Sequence, residues 1–105
     1  MSTLANNFDT IEKLIYEESI RIETIDFHPE LDMMLILLNT KAVLHQKLSD
    51  YRTLKTASKE QLEQFELIAG GTGVHWQLLD EDHSLKGFLR DELRKVLKPK
   101  EAIAA

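Results

Sequence analysis

The sequence predicts a small α+β domain, an antiparallel β-meander packed against helices, with amphipathic helices at its N- and C-terminal ends. Three observations point there. Apolar residues recur at helical spacing near both ends of the chain. They alternate, or run together, over residues 20–48. A glycine-rich stretch then separates two further extended pieces between residues 66 and 76.

Phe8, Ile11, Leu14 and Ile15 mark the first helix, with Asn7 or Asp9 as its cap, an end near Glu18, and frayed residues 1–6 before it. Ile20 and Ile22 then alternate with polar residues, while Ile25 and Phe27 continue on the opposite parity. One extra residue near Glu23-Thr24 restores both pairs to one face, so a β-bulge is expected there. His28-Pro29-Glu30 reads as a turn, because proline restricts the residue before it and donates nothing to a ladder. Asp32 to Leu38 is nearly all apolar and reads as a central strand buried on both faces. Asn39-Thr40-Lys41 turns the chain into a third strand, Ala42 to Leu48.

A short helical or irregular stretch follows through Leu54. Ser58-Lys59-Glu60-Gln61 has the pattern of a capping box and starts a helix to about Phe65. Asp80-Glu81-Asp82 precedes the last helix, whose apolar stripe is Leu85, Phe88, Leu89, Leu93, Val96 and Leu97, with Pro99 ending it. The whole reads as one domain over 1–105, with a helical extension at 1–18, a core at 19–98 and a tail at 99–105.

Composition limits function. The 105 residues are 43% hydrophobic and 30% charged, with no cysteine, which removes disulfides, thiol catalysis and cysteine-ligated zinc. Met33 to Leu38 is the longest apolar run and is far too short to span a membrane, and no signal peptide is apparent, so the expected location is cytoplasmic. The net charge of −5 argues against a general nucleic-acid binder. Charge is nevertheless uneven. Residues 1–85 carry seven Lys/Arg against fifteen Asp/Glu, and residues 86–105 carry six against three.

Several segments invite chemistry. Gly70-Gly71-Thr72-Gly73 lacks the following helix and the Lys-Ser/Thr pair of a phosphate loop, so turn glycines explain it better. Asp80 to Ser84 carries oxygens at EF-hand-like spacing, but Leu85 stands where that loop needs glycine. Helix capping by Ser84 or Asp82 is the better account. His75, His83, Asp80 and Asp82 fall close together, yet no metal-binding spacing joins them, and acid–base catalysis by His75 with Asp80 lacks a nucleophile. Neither a metal nor a cofactor is expected. On a strand, His75 and Trp76 point to opposite faces, one toward the core and one toward its rim. Lys86, Arg90, Arg94, Lys95 and Lys98 spread along the polar side of the last helix, without the preceding helix of a helix-turn-helix unit.

The stretch from Leu48 to Leu89 resembles the bacterial family called domain of unknown function 2442. The resemblance rests on Tyr51, Leu54, Ala57-Ser58, Gln61 and Leu67-Ile68, then on Gly71, Gly73-Val74-His75-Trp76, and on Leu79-Asp80-Glu81-Asp82 with Leu85 and Leu89. Residues 19–48 are similar to the family's strand-turn-strand opening, although its third strand usually carries a proline where this chain has His45-Gln46-Lys47. The resemblance covers about two-thirds of the chain. It implies a small α+β fold with no established catalytic activity. Some members look like the smaller partner in toxin–antitoxin-like operons, and some longer ones add a helix-turn-helix region for which this chain has no room. The family's His-Trp and acidic block falls on His75, Trp76, Asp80, Glu81 and Asp82, which become the candidate interaction residues.

The expected function is thus a non-enzymatic protein–protein interaction module, antitoxin-like or regulatory, with a homodimer plausible given the apolar Met33–Leu38 run. The alternative is a DNA-associated regulator that uses Arg90, Arg94, Lys95 and Lys98 on its basic C-terminal helix.

Overall fold

A computed structural model of the chain describes residues 3–97, with side chains from Thr10 onward. Two antiparallel three-stranded sheets, in the orders β1-β2-β3 and β4-β5-β6, are flanked by helices. Helix α1 (Thr3–Glu17) leads into β1 (Ile22–His28), β2 (Met33–Leu38) and β3 (Val43–Gln46). Two short helices, α2 (Arg52–Lys55) and α3 (Lys59–Glu63), connect to β4 (Phe65–Ile68), β5 (Gly73–Trp76) and β6 (Glu81–Ser84), and α4 (Leu85–Leu97) closes the fold.

Much of this follows from local sequence. The register between β1 and β2 shifts between Ile22 and Thr24, which is the bulge that the change of parity requires. Ser58 and Gln61 close a reciprocal capping box, with Gln61 N–H donating to Ser58 Oγ at 3.1 Å and Ser58 N–H to Gln61 Oε1 at 2.9 Å. Single turns of 3-10 helix join β1 to β2 and β5 to β6, and each ends on an aspartate in the left-handed region, Asp32 and Asp80. Aspartate tolerates that conformation better than most residues. Asp32 then receives the backbone N–H of Ser49 at 2.8 Å and its hydroxyl at 2.6 Å. These hydrogen bonds, the hydroxyl's first, hold its carboxyl below the ordinary value.

Trp76, Phe27 and Phe65 form the centre of the core, with ring centroids 5.7–6.4 Å apart. Phe27 belongs to the first sheet and the other two to the second, so this cluster joins the sheets. Gly71 lets the turn before β5 pack onto the start of β1. Its φ is +97°, and a Cβ there would lie 3.2 Å from Arg21 Cβ and 3.3 Å from the Ile22 carbonyl.

Four expectations need correction. Helix α1 starts at Thr3, so Asn7 and Asp9 lie inside it; Leu4-Ala5 favour helix and nothing there stops it. Residues 81–84 are a strand, because the left-handed Asp80 turns the chain back onto β5 before the helix begins. Strand β2 buries only Met34, Ile36 and Leu38; Met33, Leu35 and Leu37 are half-buried on the other face. The stripe of α4 is covered only at Leu85, Phe88 and Leu89, and Leu93, Val96 and Leu97 are 46%, 78% and 70% exposed. The expected Pro99 stop and the tail lie outside the described residues.

Candidate functional site

The second sheet and α4 gather most of the singled-out residues, but separate them by role. Trp76 is wholly buried, and its indole N–H donates to the Leu62 carbonyl at 2.8 Å, tying β5 to α3. It is a core residue. His75 faces the other way and meets the Asp82 carboxylate through Nδ1, across the register pair of β5 and β6. Asp80 forms the turn. Glu81 lies 2.9 Å from Nε2 of His83, two residues along the same strand face. His75 is thus partnered by Asp82 rather than by Asp80. Capping of α4 falls to Ser84, whose Oγ accepts the Gly87 N–H at 3.0 Å.

His75 titrates above its ordinary value of 6.5, chiefly through the hydrogen bond to Asp82, with the charges of Asp82, Glu66 and Asp80 adding to it against some desolvation. A raised folded-state value means that the pair stabilises the fold fully below 6.5. That contribution is lost as pH rises through the folded value. Asp82→Asn is expected to return the His75 titration toward 6.5, followed by NMR of its ring protons. An unmoved titration would show that Asp82 is not the cause.

His83 takes a place among aromatic rings that its spacing along the chain does not predict. Its ring sits 4.7 Å from that of Tyr51, 5.9 Å from Phe88 and 6.0 Å from Trp76. The Tyr51 hydroxyl donates to Gln46 Oε1 at 2.9 Å and lies 3.4 Å from Asp91. Burial, and then the Asp91 charge, push its ionisation far above the ordinary range. Beside this group an open cleft of about 660 Å³ runs between the turn before β5, β6 and α4. Its lining includes Tyr51, Ile68, Asp82, His83, Arg90 and Asp91. Strand parity at residues 81–84 would place Glu81 and His83 on one face, but the acidic run there reads as a helix start in the sequence.

The basic residues of α4 do not form one row. Arg90 lines the cleft, Arg94 is 3.7 Å from Asp91, and Lys95 is held by Glu92 at 3.0 Å and by the His45 carbonyl. Lys86 lies 3.2 Å from Glu12. Lys98 lies outside the described residues. Among the described residues no three His, Asp or Glu side chains converge as metal ligands. No helix among them is long and apolar enough to cross a membrane.

The family model described as "Protein of unknown function (DUF2442)" matches residues 22–93. Two solved structures share the architecture. An uncharacterized protein from Chromobacterium violaceum, solved in solution by NMR, is 26% identical with a TM-score of 0.64, covering 88% of this chain and 84% of that one. A crystallised protein of unknown function from Rhodospirillum rubrum is 25% identical with a TM-score of 0.61, covering 69% and 87%. No curated protein matches.

Proposed function

The chain belongs to the DUF2442 family of proteins of unknown function, and from that premise we propose that it is a non-enzymatic interaction module that binds a small basic protein. The outer face of the first sheet carries this reading. The β1–β2–β3 register sets Thr24, Leu37 and Val43 in one row, and Asp26, Leu35 and His45 in the next. Met33 extends the apolar line beside His28. Among the described residues none of Met33, Leu35, Leu37 and Val43 packs against the core, and Val43 is 54% exposed. An antiparallel sheet with one solvated face normally places polar residues there. A contiguous apolar strip in that place is the usual signature of a contact surface.

Charge selects the partner. Along β1 and the turn after it, the exposed residues Glu23, Asp26 and Glu30 are acidic, within a body where acids outnumber bases fifteen to seven over residues 1–85. Such a border favours a surface rich in Lys and Arg around its own apolar centre. An antitoxin-like or regulatory partner of a small protein would work in this way. The nucleic-acid alternative has less support, since Arg94 and Lys95 already face carboxylates.

The test is affinity capture by the full chain from nuclease-treated source cells, run beside Leu35→Lys and a Glu23→Lys/Asp26→Lys double variant. The expected result is one basic protein in near-equal amount, weakened roughly tenfold or more by Leu35→Lys, as for a central interface residue. The charge reversal should weaken it further as salt falls. Retention indifferent to Leu35→Lys overturns the proposal. So does a self-dimer in sedimentation that Leu35→Lys dissociates, or binding that disappears with nuclease.

A further inference from the structure

We propose that the cleft between the second sheet and α4 binds a small organic monocarboxylate with a flat apolar body, and that the Arg90 guanidinium holds its carboxylate. Three observations converge on this.

The first is the state of Arg90. Its Nε is enclosed by protein and has no hydrogen-bond partner among the described residues, although the residue lines an open cleft. That enclosed Nε is out of reach of a molecule in the cleft, so a contact there falls to the two terminal nitrogens, Nη1 and Nη2. Arg90 Nη2 lies 3.9 Å from where a Cβ of Gly87 would be. The guanidinium therefore folds back along the helix by one turn, over a position with no side chain. Its planar fork matches a carboxylate in two parallel hydrogen bonds.

The second is that the neighbouring acids are already engaged. Asp82 meets His75, while Asp91 lies near both the Tyr51 hydroxyl and Arg94. Among the described residues no carboxylate forms an ion pair with Arg90, although Asp82 and Asp91 line the same cleft. The same two acids set a limit on the ligand, because both would repel a dianion such as a phosphate monoester. One negative charge fits better.

The third is the wall. Ile68 is partly exposed along the cleft, and Tyr51 and His83, both packed on the buried Phe88, are the half-exposed rings beside it. That surface suits a flat apolar group. The volume of about 660 Å³ falls within the range of small-molecule sites.

Sodium benzoate serves as the probe, added to the full chain labelled with 15N and followed through the Arg90 side-chain N–H and the Gly87 amide. Saturable shifts confined to the cleft are expected. Benzamide, the neutral match in shape, and the Arg90→Gln variant should each bind roughly tenfold or more weakly, the loss expected for a charge-assisted pair. Arg90→Lys keeps the charge without the fork and should fall between, which preserves the test if Arg90→Gln does not fold. Equal shifts with benzamide, or an unchanged response in the Arg90 variants, overturn the proposal. Inorganic phosphate binding as well as benzoate overturns the monocarboxylate class. Leu35→Lys lies on the opposite sheet and should leave the benzoate response unchanged, so the cleft and the partner surface succeed or fail separately.

Discussion

Trp76→Ala is expected to destabilise the fold by about 3–5 kcal/mol, the cost of removing a large buried aromatic side chain. That is a large share of the roughly 5–15 kcal/mol that holds a domain of this size together. The indole is wholly buried and packs edge-on against Phe27 from the first sheet, with Phe65 beside it. Its loss opens a void between the two sheets, where relaxation would have to move both. It also strands the Leu62 carbonyl, which accepts the indole N–H at 2.8 Å. Trp76→Phe separates these terms, since it keeps part of the ring while removing the donor. Urea unfolding of the two variants reads both costs. A loss below about 1 kcal/mol for the alanine variant, the size of one ordinary hydrogen bond, would mean that Trp76 does not join the sheets.

Strand alternation indicated that one of His75 and Trp76 faces the core, but the resemblance made Trp76 an interaction candidate, and the fold buries it instead. Other features were legible for equally local reasons. The bulge before Thr24 followed from parity, the capping box from Ser58 and Gln61, and the turn at residues 29–31 from proline. What misled was composition read without tertiary context. Asp80-Glu81-Asp82 has the acidity of a first helical turn, yet Asp80 adopts a left-handed turn and the next residues pair with β5. The apolar run in β2 implied cover on two faces, but the described residues bury only one. The stripe of α4 outruns the sheet beneath it for the same reason. The cleft was invisible because Tyr51, His83 and Arg90 come from three separate elements, and no spacing along the chain records their meeting. The His-Trp and acidic block, by contrast, was found as a unit and then divided by the fold into a core indole, a cross-strand ion pair and a turn.

Glu92→Ala is expected to cost about 2–3 kcal/mol, less than the indole but large for a side chain at the surface, because it leaves several hydrogen bonds to a charged group unmade. A single carboxylate oxygen of Glu92 accepts the Gln46 side-chain amide at 2.7 Å, the His45 backbone N–H at 3.2 Å and Lys95 at 3.0 Å. Gln46 is only 4% exposed and passes the network on to Tyr51. His45 lies on β3, the outer strand of its sheet, and both its N–H and its carbonyl point away from β2 toward α4. Without Glu92 the buried amide loses its acceptor and the strand edge stands open, a template for pairing with another chain. Two measurements follow from this geometry. Denaturant unfolding should show the loss with an unchanged slope, and Glu92→Gln should recover part of it by keeping an acceptor without the charge. Hydrogen exchange should show the His45 amide losing protection well ahead of the β2 amides at the sheet centre. If protection instead falls evenly along α4 and β3, the carboxylate steadies the helix as a whole, and the edge is covered by packing rather than by this one residue.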